Sequence, residues 1–162
     1  MAAKRARKDL EQIKEGAYET LFSASPQSKA MPTPEGTVKT ETNWFTWDVV
    51  IYGPKDTPYE GGLYNVQINL PTKYPYVPPA VKFLTPIYHP NISSSGVICL
   101  DILKGAWSPA LGIPKTLLSI VDLLSAPNPG DPLNREAGDR FIQDREAFNI
   151  VARDWRDKHA MP

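Results

Sequence analysis

Hydrophobic positions recur along this chain with two periods, and the switches between them divide it into elements. Ala6, Leu10, Ile13 and Ala17 are spaced four, three and four residues apart, which predicts one face of a helix over residues 3–17. From about Ser23 to Glu35 proline and small polar residues break both periods, so a proline-containing loop insertion is expected around 23–36. Phe45, Trp47, Val49 and Ile51 alternate with polar residues, and Tyr64, Val66, Ile68 and Leu70 do the same, which predicts two strands. The turn chemistry between them, from Tyr52-Gly53-Pro54 to Gly61-Gly62, makes the pair antiparallel. A short strand over 80–84 and a weaker one near Thr37–Thr42 complete a four-stranded antiparallel meander. Neither period persists from Thr85 to Ile113, a length of loop that usually has a function. Leu117, Leu118, Val121 and Leu124 then mark a helix beginning near Pro114, stopped by Asn128-Pro129-Gly130-Asp131-Pro132. A short helix over 135–142 and a last one carrying Phe148, Val151, Ala152 and Trp155, capped by Asp144, follow. Elements segregated in this order predict an α+β fold: N-terminal helix, meander, long loop, three helices.

Composition narrows the function classes. The 162 residues, 41% hydrophobic and 22% charged, suit a single domain over 1–162. The 17 prolines are spread without a period, so collagen-like and disordered classes are excluded. Basic and acidic residues balance at 18 each, which gives no argument for a nucleic-acid or membrane partner. The basic excess is confined to Lys4, Arg5, Arg7, Lys8 and Lys14 at the front, where Lys4 and Lys8 project together from one helix face. No apolar run approaches the ~18 residues of a membrane span, and Asp9-Leu10-Glu11 follows the basic start where a secretory signal would be apolar. One cysteine and two histidines make neither a disulfide nor a structural zinc site, and a reducing compartment is expected. No Walker-type loop, dinucleotide fingerprint or His-Glu-x-x-His helix is present.

The unpaired thiol remains. Val97-Ile98-Cys99-Leu100 by itself suits a buried structural cysteine. A second reading is a hydrolase with Cys99 as nucleophile, His89 as base and Asn91 orienting the ring, although no protease signature surrounds the cysteine. Asn91-Ile92-Ser93 also fits the N-glycosylation pattern, which has no meaning without secretion.

The wider context changes that balance. His89-Pro90-Asn91, then Gly96-Val97-Ile98-Cys99-Leu100-Asp101-Ile102-Leu103 and Trp107-Ser108-Pro109-Ala110-Leu111, closely resembles the ubiquitin-conjugating enzymes. Tyr74-Pro75-x-x-Pro78-Pro79 and the run from Tyr52-Gly53-Pro54 to Gly61-Gly62 match the same family, and the likeness covers nearly the whole chain. It is greatest to the compact members that work with many RING and HECT ligases.

The resemblance implies that Cys99 receives the ubiquitin C-terminus as a thioester from an activating enzyme and passes it to a substrate lysine or a ligase cysteine. No cofactor is then bound, because ATP is used by the activating enzyme upstream. Asn91 corresponds to the residue that donates to the developing oxyanion, or holds the loop, or both. Asp131 corresponds to the carboxylate that orients the incoming lysine and helps with its proton. The other reading of Asp131 is a helix stop before Pro132. His89 and Pro90 fall to the structure of the active-site loop. Lys4, Arg5 and Lys8 match a first-helix contact with ligases and activating enzyme, and Tyr76, Ser108, Pro109 and Ala110 match two loops that a ligase covers. Asp101, Leu118 and Asn128 match positions near the donor ubiquitin, although a leucine at helical spacing also suits a core. Partners other than these, nucleic acid and membrane included, are not expected. A monomer working in cytoplasm and nucleus is the implied setting.

Three departures qualify the match. The stretch between Gly16 and Trp47 is longer than in the most compact members by about fourteen residues, so no noncovalent ubiquitin site on the sheet is carried over. Gly130 stands where the closest members are commonly acidic and Val77 where they are commonly basic, which leaves ligase choice open. Conjugation of another ubiquitin-like modifier is the nearest alternative, and a scaffold of this fold without transfer activity is the rival from another class.

Overall fold

The structure, a computed structural model, describes residues 1–162. Helix α1 (Ala2–Glu15) leads into strands β1 (Phe22–Pro32), β2 (Val38–Tyr52), β3 (Leu63–Asn69) and β4 (Ala80–Phe83). A short 3-10 turn (Asp101–Leu103) follows, then α2 (Gly112–Ser125), α3 (Arg135–Gln143) and α4 (Arg145–His159). The strands pair antiparallel in chain order. This is the expected α+β arrangement, and no helix is long and apolar enough to cross a membrane.

Strand alternation sets the core. Phe22, Trp47, Val49, Ile51, Tyr64, Val66, Ile68 and Phe83 turn to one face of the sheet, where they meet Ile113, Leu117, Ile120 and Leu124 of α2 and Phe148 and Ala152 of α4. Side chains such as Ser23, Asp48 and Asn65 alternate to the opposite, polar face. Asp144 accepts from the Ala147 N–H at 3.1 Å and so caps α4, as its position before the helix predicts.

One expectation fails. The segment around 23–36 is not a loop insertion: residues 22–32 are strand β1, and only Thr33–Gly36 turn. The weak strand expected near Thr37–Thr42 is the first half of β2 rather than a separate element. Proline content misled the reading because β1 is the outer strand of the sheet, where Pro26 and Pro32 cost no central ladder bond. Next to Pro26 the register breaks, since Pro26 faces Trp47 while Gln27 faces Asn43, so Trp44, Phe45 and Thr46 of β2 have no partner in β1, although Thr46 still pairs with Asn69 of β3. Phe45 is accordingly exposed although it continues the alternation, and Ala17 lies exposed beyond the end of α1.

Helix α1 is docked by a residue that its polarity pattern hides. Asp9 is fully buried and accepts from Arg5 Nε at 3.0 Å, from the Tyr74 hydroxyl and from the Ile113 N–H at 3.4 Å. Burial and this carboxylate push the Tyr74 hydroxyl well above its ordinary pKa, so it serves as a donor. Gly112, at φ +64°, begins α2 so close to Asp9 that a Cβ would stand 2.7 Å from the carboxylate. α1, the Tyr74 turn and the start of α2 are thereby tied to one buried charge.

Candidate active site

The segment from Thr85 to Ile113 lacks periodicity because it is held by individual hydrogen bonds rather than by a ladder. His89 is buried and bonded on both ring nitrogens. Its Nδ1 accepts from the Asn91 N–H at 2.9 Å, so its Nε2–H donates to Leu123 O at 2.8 Å. Burial lowers its pKa to about 4, partly opposed by the Leu123 carbonyl. A neutral, sealed imidazole with no free nitrogen cannot serve as a base for Cys99, which removes the hydrolase reading. Pro90 is buried beside it, and its carbonyl accepts from Leu133 and Asn134 N–H at 2.9 and 3.0 Å.

Asn91 joins two loops. Its Oδ1 accepts from Asn128 N–H at 2.8 Å, while its Nδ2 donates to Asn128 O at 2.7 Å and to Asp131 O at 3.3 Å. Its backbone carbonyl accepts from Cys99 N–H at 2.8 Å. One buried asparagine therefore fixes the 128–131 loop and the cysteine backbone against each other. In this conformation both amide protons are engaged, so Asn91 acts as a clamp, and donation to an oxyanion requires the longer, 3.3 Å bond to be released.

Cys99 is free and partly exposed at the rim of this wall, which sets aside the buried structural cysteine. Its Sγ lies 3.8 Å from Asp131 Oδ2 and 3.8 Å from Lys104 Nζ, both exposed side chains. Asp131 is thus brought to the sulfur across 32 positions of sequence. Lys104 escaped the sequence reading; it sits five residues after Cys99, at the end of the 3-10 turn, and a turn at that spacing was the available signal. No group of three or more His, Cys, Asp or Glu side chains is arranged to hold a metal.

The remaining predicted residues separate into groups. Asp101 is exposed near the thiol and its Oδ1 accepts from Ile102 N–H at 2.8 Å. Asn128 is exposed and fixed through its backbone by Asn91. Leu118 is partly buried and packs against the core cluster. Tyr76, Ser108 and Ala110 are exposed, with Pro109 between them partly so. The two loops that carry them are pinned by Trp107 Nε1–H, which donates to Pro75 O at 2.8 Å. The basic trio divides: Lys4 and Lys8 are exposed, whereas Arg5 turns inward to Asp9 with its side chain 21% exposed.

Comparison with known proteins gives the family. The family model described as ubiquitin-conjugating enzyme matches residues 10–156. A Plasmodium yoelii protein assigned as a ubiquitin conjugating enzyme superposes with a TM-score of 0.85 at 39% identity, covering 99% of this chain and 96% of that one. The conjugating domain of a Toxoplasma gondii ubiquitin conjugating enzyme gives 0.81 at 39% identity, covering 97% of each. With a family model matched over most of its length and a partly exposed cysteine where the family motif stands, this chain belongs to the ubiquitin-conjugating enzymes.

Proposed function

We propose that this protein accepts ubiquitin from an activating enzyme as a thioester on Cys99 and transfers it to lysine or to a ligase cysteine, working with RING or HECT ligases. The observation that carries this reading is Cys99 Sγ at the surface, with a carboxylate at 3.8 Å and a hydrogen-bonded asparagine wall behind it. The thioester already holds the energy supplied upstream, since a thiol of intrinsic pKa ~8.5 leaves far more readily than an amide nitrogen. The chain then needs no nucleotide or metal of its own.

In transfer, the substrate lysine approaches Asp131, which orients the ammonium and accepts a proton as the nitrogen attacks. Asn91 keeps the 128–131 loop and Cys99 in register, and its Nδ2–H is the nearest fixed donor to offer the developing oxyanion once Asp131 O is released. Lys4 and Lys8 give the cationic half of a ligase surface, with Tyr76 and Ser108–Ala110 as its uncharged half. Arg5 anchors the helix that presents them.

Incubation with activating enzyme, ATP and ubiquitin tests the reading. A band that disappears with reductant is expected for the native chain and not for Cys99→Ala. Absence of that band with ubiquitin and with other ubiquitin-like modifiers would favour the scaffold.

A further inference from the structure

The surface assigned above to ligases is discontinuous in sequence: Lys4 and Lys8 lie on α1, Tyr76 follows the Tyr74 turn, and Ser108–Ala110 precede α2. A partner grips all three segments at once only if they share one arrangement. One buried carboxylate ties them together. Asp9 accepts from Arg5 Nε at 3.0 Å on its own helix, from the Tyr74 hydroxyl, and from the Ile113 N–H at 3.4 Å at the start of α2. The turn that leads into α2 closes with Leu111 N–H on Ser108 O at 3.0 Å. A second tie runs from Trp107 Nε1–H to Pro75 O at 2.8 Å, with the Trp107 and Tyr74 rings 6.1 Å apart. The node leaves little room, since a Cβ on Gly112 would stand 2.7 Å from Asp9 Oδ1 and 2.9 Å from Arg5 Nη2. Arg5, with its side chain 21% exposed, directs its charge to this carboxylate.

We propose that Asp9 is a positioning residue for ligase-stimulated transfer: it holds α1, the Tyr74–Tyr76 loop and the 107–110 loop in the arrangement a ligase grips, and Arg5 contributes through Asp9 rather than by touching the ligase. This rests on the ligase surface proposed above. A buried carboxylate deprived of a donor keeps an unsatisfied charge, so each of the three segments is held in place in the free protein. Ligase binding then needs no ordering of these loops, which raises affinity without adding a contact. Asp9 bonds to none of the groups placed around Cys99. Its loss therefore leaves the unassisted chemistry of the thioester intact and weakens only the response to a ligase.

The test purifies the thioester of the full chain, removes ATP, and measures discharge to free lysine over a range of concentrations of a RING domain that stimulates the native chain. Asp9→Asn is expected to raise the RING concentration for half-maximal stimulation about tenfold, with the plateau rate and spontaneous discharge unchanged. Tyr74→Phe, which removes one hydroxyl and keeps the ring, is expected to raise it about threefold, and it carries the test should Asp9→Asn not fold. Phe148→Leu, a core change at α4, should lower the melting temperature and leave the RING response as it was. Arg5→Met should weaken the response of the native chain and add nothing in the Asp9→Asn background, because both changes break the same tie. The proposal is overturned by losses that add, by an unchanged half-maximal concentration in Asp9→Asn and Tyr74→Phe, by an equal shift in Phe148→Leu, or by spontaneous discharge falling in step with the stimulated rate. Tyr76→Ala separates it from the surface on which it rests. An impaired Tyr76→Ala beside a normal Asp9→Asn removes the proposal and keeps the surface, whereas a normal Tyr76→Ala removes both.

Discussion

Behind Cys99, His89 and Asn91 are buried and every ring or amide hydrogen-bonding atom has a fixed partner. In front of it, Asp131 and Lys104 are exposed, and their contacts with the sulfur are 3.8 Å long. Satisfied polar groups in a low-dielectric wall are costly to disturb, so the wall holds geometry. Exposed charges are readily rearranged by an incoming group, so the rim is suited to meeting cargo and acceptor. Substitutions in the wall should therefore change stability and transfer together, while substitutions at the rim should change transfer alone.

The largest effect is expected for Asn91→Ala. It leaves the Asn128 N–H and the facing carbonyls without partners, so stability falls by about 1–3 kcal/mol. Discharge of the thioester to free lysine falls by about a hundredfold to a thousandfold, more than loading does, in a single-turnover assay. Equal losses in both steps would break the link between Asn91 and the transfer step. Asn91→Asp sharpens the point, because it keeps the acceptor for Asn128 N–H and loses both donors.

His89 gives the wall a pH dependence. The unfolded chain takes up the imidazole proton near pH ~6.5, the folded chain only near about 4. Folded stability is complete above that window and falls as the pH drops through it, by on the order of 3 kcal/mol at the lower end. Denaturant unfolding of the native chain and of His89→Gln across this range checks the expectation: the variant should be less stable at pH 7 and show a shallower slope.

At the rim, Asp131→Asn is expected to slow discharge to lysine by about tenfold to a hundredfold with no measurable change in stability. A clear loss of melting temperature would move Asp131 from the rim to the wall. The smallest effect belongs to Lys4 and Lys8, far from the sulfur in sequence and exposed. Changing both to Ala should reduce ligase-stimulated discharge several-fold while leaving spontaneous discharge to free lysine unchanged. An unaltered ligase response would reject that surface.

The same division decides what was legible in the sequence. Strands β2 and β3 announce themselves through Trp47, Val49, Ile51 and Tyr64, Val66, Ile68, because a sheet with one buried face imposes alternation. β1 did not, since an outer strand tolerates Pro26, Pro32 and the serines at 23, 25 and 28, and buries little beyond Phe22. Within the site, His89, Asn91 and Cys99 lie close enough in the chain for their order to be recognised. Asp131 needed the resemblance, and Lys104 was overlooked because an exposed lysine after an aperiodic turn has no pattern. Asp9 was hidden for the opposite reason: a carboxylate on a charged helix looks solvated, and only the tertiary meeting of Arg5, Tyr74 and Ile113 shows it to be interior.

The most direct measurement of the central claim is the intact mass of the full chain after incubation with activating enzyme, ATP and ubiquitin, followed by peptide mapping. The account expects a gain of one ubiquitin less water, held at early times on the peptide containing Cys99 and released by reductant. A chain that gains no mass, or a Cys99→Ala variant that gains it equally, would contradict the account.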